Sequence, residues 1–185
     1  MQEDRQLRMR TENAECLIRR HPAFVKTWAA TIPGTAAEKR LIRPAESYFT
    51  SCFASWPNAY ASTWNFQAIR LRLIVELLRP RLAVLPEQAP PGLSRMAWYS
   101  PDQAGDARAA PSLIANDLGF CLARADWPDV RSLVLAEEGT AEEKAALRGL
   151  RPLIAGCIPP GQKLTLDAAR LRSIMIETVY HAISE

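Results

Sequence analysis

Apolar residues recur at intervals of three and four along most of this chain, which is the spacing of helices with one buried face. In the stretch that follows Gly34, the apolar stripe consists of Ile42, Ala45, Tyr48, Phe49, Cys52 and Phe53. The alternation of apolar and polar residues that marks a strand does not extend over a useful length anywhere. The pattern therefore predicts an all-α protein.

The same succession of residues occurs twice, at an offset of 105 positions. The aligned pairs are Cys16-Leu17 with Cys121-Leu122, Gly34-Thr35 with Gly139-Thr140, Glu38-Lys39 with Glu143-Lys144, and Cys52 with Cys157. After a shortening of five residues in the second copy, Arg70-Leu71-Arg72 aligns with Arg170-Leu171-Arg172. We therefore predict two tandem units of about four helices each, over residues 1–80 and 112–185, packed as one globule.

Local signals predict where the helices of each unit begin and end. Proline is favoured in a first turn and glycine just after a last turn, and a Thr-x-x-Glu sequence forms a capping box. The predicted features are helices over Thr11–Arg20 and Asn116–Ala125; helix starts at Pro22 and Pro128; helix ends at Gly34 and Gly139; capping boxes at Thr35–Glu38 and Thr140–Glu143; and last helices over Phe66–Leu78 and Leu166–Ile183, capped by Asn65 and Thr165.

Residues 81–111 are predicted to form a proline-rich crossover between the two units. Residues 80–111 hold six of the 14 prolines together with Gly92 and Gly105, so regular helix is excluded over most of this stretch. It also contains Leu93 and Trp98, which a plain spacer would not need. We expect an ordered crossover that lays Trp98 against one unit, with residues 102–110 mobile.

The four cysteines form two pairs with the same separation, since Cys16 and Cys52 are 36 residues apart and so are Cys121 and Cys157. Four cysteines allow three disulfide pairings. An ancestral single unit could close only on itself, which favours Cys16–Cys52 and Cys121–Cys157. The alternative is four buried free thiols, because unpaired cysteine is among the most buried residue types.

Zinc is a weaker third possibility, and we expect neither a metal nor another cofactor. No Cys-x-x-Cys sequence is present, and only His21 and His181 could complete a site. Both histidines are better explained by structure. His21 precedes a helix start, and His181 lies in a last helical turn, where a cation offsets the helix dipole.

Composition and charge exclude several classes of protein. With 48% hydrophobic and 23% charged residues, wholesale disorder is excluded, and no apolar run is long enough to span a membrane. Arginine supplies 19 of the 23 basic residues, but the net charge is only +3 and acidic residues are interspersed, so we expect no nucleic-acid partner. The polar N-terminus favours the cytoplasm, whereas disulfides favour the periplasm or the outside of the cell, with a leader that this sequence lacks.

The sequence contains no recognised catalytic motif. The best candidate for a binding site is a loop in the first unit. The acidic pairs Glu137-Glu138 and Glu142-Glu143 flank a helix start, where negative charge is favourable anyway. Each Arg-Leu-Arg element is expected to supply a structural ion pair, with Glu46 as the acid in the first unit. The loop over residues 54–64 is five residues longer than its counterpart, and with Trp98 it offers rigid aromatic contact area on the side chains of Trp56, Tyr60 and Trp64. The alternative is that these rings cover the core as a lid.

The pattern of Cys16-Leu17-Ile18-Arg19, Gly34–Lys39, Cys52 and Leu71-Arg72, repeated in the second copy, resembles uncharacterised bacterial exported proteins built from cysteine-containing helical repeats. That resemblance implies export and no particular activity. The leading hypothesis is a non-catalytic, disulfide-stapled helical binding protein of the cell envelope, which takes a protein or a small molecule at the 54–64 loop. The alternatives are an enzyme with arginines and carboxylates between the two units, and a cytoplasmic regulator that binds nucleic acid.

Overall fold

A computed structural model describes residues 2–53, 66–95 and 110–184 of the chain. These residues form helices, turns and irregular segments and contain no strand, which confirms the all-α prediction. The chain divides into two compact units, Met1–Pro80 and Arg81–Glu185, called unit 1 and unit 2 below.

Each unit contains five described α-helices, because a proline interrupts the predicted third helix. In unit 1 they are α1 (Gln2–Arg20), α2 (Pro22–Ala29), α3 (Ala36–Ile42), α4 (Glu46–Phe53) and α5 (Phe66–Leu78). In unit 2 they are α6 (Ala110–Ala125), α7 (Trp127–Leu135), α8 (Ala141–Leu150), α9 (Ile154–Cys157) and α10 (Ala168–Ala182). Pro44 and Pro152 have no backbone N–H to donate, and each lies in a short 3₁₀ turn, Arg43–Ala45 or Arg151–Leu153.

Four predicted helix starts were wrong, and the smallest difference is in α7, which begins at Trp127 rather than Pro128 because Asp126 is its N-cap. α1 begins at Gln2 rather than Thr11, since the preceding residues lack an apolar stripe but are mostly good helix formers without a breaker. α6 begins at Ala110 rather than Asn116, and Pro111 lies in its first turn, where proline is tolerated. α10 begins at Ala168, because the Asp167 carboxylate accepts the Arg170 N–H at 2.7 Å and takes the capping role assigned to Thr165. α5 spans the predicted residues, and Asn65 lies outside the described residues.

Gly34 adopts a left-handed backbone with φ of 78°, but it does not end a helix as predicted. α2 ends at Ala29, and Gly34 instead lies in a tight turn closed by the Thr35 N–H on the Ile32 carbonyl at 3.4 Å. Glycine suits the third position of such a turn because it lacks a Cβ. Gly139, with φ of 82°, occupies the same place in unit 2.

Both predicted capping boxes are present. The Thr35 hydroxyl accepts the Glu38 N–H at 3.3 Å, and Thr140 and Glu143 form the same contact. The glutamate reaches one residue further back than a standard box, since Glu38 accepts the Gly34 N–H at 2.6 Å rather than that of Thr35. The equivalent bond in unit 2 joins Glu143 to the Gly139 N–H, also at 2.6 Å.

A disulfide joins the first helix of each unit to the fourth. Cys16 on α1 is bonded to Cys52 on α4, with Cα atoms 5.7 Å apart. Cys121 on α6 is bonded to Cys157 on α9, with Cα atoms 5.6 Å apart. These are the pairings that the duplication favoured, and they leave no free cysteine.

The core of each unit lies between its first and last helices. In unit 1, α5 packs along α1, and in unit 2, α10 packs against α6 and α7. The largest fully buried apolar side chains are Trp28, Phe49, Phe120, Leu17, Leu73, Ile74, Leu78, Leu93, Leu113, Leu118 and Leu122. Gly119 on α6 lies so close to α10 that an added Cβ would overlap the Thr178 hydroxyl.

The first part of the predicted crossover belongs to unit 2, which begins at Arg81. Leu85 and Leu93 are buried, and residues 81–95 include 3₁₀ turns, so this stretch is ordered as expected. Trp98 and residues 102–109, for which contact and mobility were predicted, lie outside the described residues.

Candidate binding surface

Unit 1 contains a buried guanidinium, that of Arg70 on α5, which is 1% exposed. Arg70 donates hydrogen bonds to the main-chain carbonyls of Trp28, Ala29 and Thr31 at the end of α2. It also pairs with the Glu38 carboxylate at 3.4 Å, and Glu38 is 2% exposed. The predicted acid, Glu46, is exposed instead. Arg70 thus binds main-chain carbonyls at and just after the end of α2, which is a structural role.

Arg172 on α10 makes the corresponding contacts in unit 2. It donates to the carbonyls of Leu133 and Ala136 at the end of α7 and pairs with Glu143 at 3.1 Å. Arg172 is therefore the counterpart of Arg70, whereas the sequence alignment had matched Arg70 with Arg170. The second copy is shorter by three residues before this helix rather than five. Two carbonyl contacts and one glutamate contact of Arg70 thus recur at Arg172, at positions 105 residues further along the chain for each acceptor.

An aromatic cluster lies at the other side of α2 in unit 1 and reaches the surface. Phe49 of α4 makes edge-to-face contacts with the rings of Phe24, Trp28 and Phe66, at centroid distances of 5.2–5.8 Å. Tyr48 contacts Phe24 at 5.3 Å, and it is 38% exposed. The cluster therefore has an inner part in the core and an outer edge at Tyr48.

His21 extends the outer edge of this cluster. Its ring stacks on Tyr48 with centroids 4.1 Å apart and an angle of 14° between planes. The His21 Nε2 atom lies 3.4 Å from the Ser51 hydroxyl, and Arg20 donates to the Ser51 carbonyl at 3.2 Å. His21 is the N-cap of α2 but makes no side-chain capping bond, so its side chain serves the surface rather than the helix start.

The charge around this edge is mostly positive. Between Cys16 and Phe53 the exposed charged residues are six cations and a single anion: Arg19, Arg20, Lys26, Lys39, Arg40 and Arg43 against Glu46. None of the six forms an ion pair with a described residue. We call Arg20, His21, Phe24, Tyr48 and Ser51, with the exposed cations Arg19 and Lys26 near them in the chain, the basic–aromatic surface.

Unit 2 differs at the equivalent positions. His21 and Phe24 correspond to Asp126 and Asp129 at the same 105-residue offset. Burial raises the pKa of Asp129 above its ordinary value, and the charge and hydrogen bond of nearby Asp126 raise it further. The two units therefore carry different chemistry at these equivalent positions.

The tryptophans and the tyrosine predicted to bind a ligand, Trp56, Tyr60, Trp64 and Trp98, lie outside the described residues. In unit 1 the described residues stop at Phe53 and resume at Phe66, whose ring contacts Phe49. The His21–Tyr48 stack was not predicted, because it joins two elements and no local spacing in the sequence indicates it.

His181, the other histidine considered as a site residue, makes contacts within its own helix. His181 is buried and lies 3.3 Å from Glu177 one turn earlier on α10, so the predicted dipole contact is accompanied by a side-chain pair. Within the described ranges, no three His, Cys, Asp or Glu side chains are grouped to hold a metal ion. Among the described helices, none combines the length and apolar character needed to cross a membrane.

Comparison with known proteins gives no match to a family model, to a curated protein or to a solved structure.

Proposed function

We propose that this protein is a non-catalytic, disulfide-stapled interaction protein of the cell envelope, and that it binds a partner through the basic–aromatic surface of unit 1. The observation that carries this proposal is the exposed His21–Tyr48 stack beside Arg20, next to the Cys16–Cys52 disulfide. We also propose that the aromatic residues of the 54–64 segment, Trp56, Tyr60 and Trp64, take part in binding.

The disulfides support the choice of compartment. Each joins two cysteines that are 36 residues apart and lie on different helices, and all four cysteines are used. Disulfides of this kind persist in the periplasm or outside the cell and are rare in a reducing cytoplasm. The disulfides thus support an oxidising compartment by their chemistry, and this argument does not depend on the basic–aromatic surface.

The chemistry of the surface supports a partner that carries carboxylates beside apolar groups. A stacked His–Tyr pair gives a flat apolar contact with polar edges, as aromatic residues do at many interfaces. A guanidinium beside it offers a planar donor that suits a carboxylate. The partner we propose is therefore an acidic segment of another protein.

The compartment is tested by trapping thiols in the native host. Cells are treated with an alkylating agent and fractionated. The intact mass of the protein is then measured by mass spectrometry before and after reduction. We expect the protein in the envelope fraction, with no alkylated cysteine until reduction exposes all four. Recovery in the cytoplasm with four alkylated cysteines would contradict the proposal.

The surface is tested by photo-crosslinking in the same cells. A benzophenone amino acid replaces Tyr48 in one variant and Leu135 in another; both side chains are 38% exposed, and Leu135 lies in unit 2. We expect a protein adduct from position 48 and none of the same mass from position 135. Adducts from both positions, from neither, or a nuclease-sensitive adduct at position 48 would each overturn the assignment, the last in favour of nucleic-acid binding.

A further inference from the structure

The stretch that carries Cys157 is held in unit 2 mainly by its disulfide. Residues 151–166, which we call the α9 segment, comprise a 3₁₀ turn, α9 and an irregular stretch that leads to α10. No residue of this segment is buried, and its apolar side chains, such as Leu153, Ile154 and Ile158, are only partly covered. A single turn of helix is not stable on its own. The segment therefore depends on its attachments for a fixed position.

Polar contacts add little to that attachment. Among the hydrogen bonds and ion pairs of the described residues, none joins a side chain of the α9 segment to the rest of the chain, and no side chain elsewhere donates to its main chain. Its first residue, Arg151, continues α8 through an N–H bond to the Leu147 carbonyl. The link to α6 is the bond between Cys157 and Cys121.

The corresponding helix of unit 1 is held in several further ways. Phe49 of α4 is fully buried, and Cys52 is buried as well. The Ser51 carbonyl accepts a hydrogen bond from Arg20. At the 105-residue offset Phe49 corresponds to Ile154, which is only half-buried. The disulfide of unit 1 thus reinforces a helix that is already packed, whereas the disulfide of unit 2 replaces such packing.

This difference decides how each disulfide responds to a thiol. An attacking thiolate bonds to one sulfur and expels the other as a thiolate, which re-forms the original bond if it stays close. In unit 1 the packing of α4 keeps Cys52 beside Cys16. In unit 2 both sulfurs belong to half-buried residues, and Cys121 is fixed on α6 beside the buried Leu122. Cys157 has no buried neighbour on its own segment, so it can move away.

We propose that Cys121–Cys157 is a site of thiol–disulfide exchange at which a dithiol donor reduces the folded protein, and that reduction releases the α9 segment. A donor thiolate attacks one cysteine sulfur, the S–S bond breaks, and a mixed disulfide forms. The donor's second thiol then attacks the donor sulfur of the mixed disulfide, so the donor leaves as a disulfide. The protein gains two electrons and two protons and keeps two thiols, while Cys16–Cys52 stays oxidised. This proposal does not depend on the basic–aromatic surface of unit 1.

The order of reduction tests the proposal on the unaltered, fully oxidised protein. Dithiothreitol, a dithiol, is added under native conditions, and samples are quenched with an alkylating agent at increasing times. Peptide mass spectrometry then reports which cysteines are alkylated. We expect Cys121 and Cys157 to react about tenfold or more faster than Cys16 and Cys52. Equal rates, or faster reduction of Cys16–Cys52, would overturn the proposal.

A low concentration of urea distinguishes local release from unfolding. Urea accelerates a reaction that passes through the unfolded chain, because unfolding exposes a large surface. Release of the α9 segment exposes little, so the rate at Cys121–Cys157 should change by less than about twofold in about 1 M urea. A larger rise would show that unit 2 unfolds before it is reduced and would overturn the proposal.

Hydrogen exchange tests the release itself. In protein reduced only at Cys121–Cys157, the amides of α9 should exchange about tenfold or more faster than in the oxidised protein, while those of α6 and α10 keep their protection. Unchanged protection of α9 would overturn the release.

A Phe49→Leu variant tests whether side-chain packing decides which disulfide is reduced. The smaller side chain loosens α4, so Cys16–Cys52 should be reduced about fivefold faster than in the unaltered protein. Cys121–Cys157 in the same molecule is the matched control, and its rate should not change. An unchanged rate at Cys16–Cys52 would overturn the role assigned to packing.

Discussion

The side chain with the clearest structural role is Arg70, because it joins three parts of unit 1 that are distant in the sequence. Its guanidinium donates to main-chain carbonyls at the end of α2, and it neutralises Glu38, which itself caps α3. A charged group can be buried in this way only because nearly all its donors have partners. Arg172 performs the same task in unit 2 with a more exposed side chain, at 18% against 1%.

Removal of Arg70 should therefore be costly. Arg70→Met leaves the Glu38 charge buried and unpaired, and we expect a loss of about 3–5 kcal/mol of unfolding free energy in urea titrations. Arg172→Met should cost less, because water reaches its site. The matched control is Arg170→Met on an exposed position of α10, with an expected change within about 0.5 kcal/mol. A larger loss for Arg170→Met than for Arg172→Met would contradict the assigned equivalence.

Asp129 should make stability depend on pH in an unusual direction. Its raised pKa means that the folded protein keeps a proton that the unfolded chain has lost, so its contribution to stability falls as pH rises from the ordinary value of 3.8 through the raised one. Asp129→Asn should therefore be more stable than the unaltered protein at neutral pH, and the difference should vanish below pH 3.8.

Thermal unfolding from acidic to neutral pH measures this difference. Glu12→Gln, on an exposed position of α1, is the control and should show no such pH-dependent gain. An Asp129→Asn variant that is less stable than the unaltered protein at neutral pH would indicate that the carboxylate is stabilised in the folded state instead.

The packing of helices within each unit depends on a few close contacts between helices and on the disulfides. α6 and α10 come together where Gly119 has no side chain and Thr178 fills the space. α4 is held by the buried Phe49 ring as well as by its disulfide, whereas α9 contains no buried residue. Equivalent helices of the two units are therefore secured by different means.

Gly119→Ala should destabilise unit 2 although alanine favours helix. The new methyl would overlap the Thr178 hydroxyl and crowd Ile174, and overpacking of this kind costs about 1–3 kcal/mol. The control is Gly156→Ala on α9, where nothing lies within 4 Å, so a gain of up to about 1 kcal/mol is expected. Adding Thr178→Ala to Gly119→Ala should recover part of the loss in chemical denaturation, and no recovery would locate the strain elsewhere.

The two disulfides should differ in what their removal releases. Each closes a loop of 36 residues and is worth about 3–4 kcal/mol in the chain-entropy account. In Cys121→Ala/Cys157→Ala, α9 has no buried side chain to hold it, so its amides should lose protection from hydrogen exchange at conditions where α6 and α10 stay folded. In Cys16→Ala/Cys52→Ala, α4 should stay protected through Phe49 while the whole protein becomes less stable. Equal protection of α4 and α9 in their respective variants would contradict this distinction.

Each of the two units contains five described helices and one disulfide, but the side chains at several equivalent surface positions differ. Unit 1 carries the His21–Tyr48 stack beside Arg20, whereas unit 2 has Asp126 and Asp129 at the positions of His21 and Phe24. The surface proposed for binding thus lies where the units differ, and it does not use the buried arginine–glutamate contacts that both units contain.

Much of this architecture could be predicted from the sequence because the signals are local or repeated. Helical periodicity, the Thr35 and Thr140 capping boxes and the span of α5 depend on neighbours within a few residues. The disulfide pairing could be predicted for a different reason. The two pairs of cysteines have the same separation of 36 residues, which makes one pairing simpler than the others. The position of Gly34 was predicted less well, because a left-handed residue serves a helix end and a tight turn equally.

The contacts between distant side chains could be decided only by the folded chain. Arg70 and Arg72 are two positions apart on one helix and are chemically identical, so the rotation of α5 against α2 decides which of them is buried. The His21–Tyr48 stack joins residues 27 positions apart, and the Arg131–Leu85 hydrogen bond joins residues 46 positions apart, where no local rule selects a partner. Local hydrogen bonding and hydrophobic periodicity thus specify the helices, while the choice among similar distant side chains depends on how those helices pack.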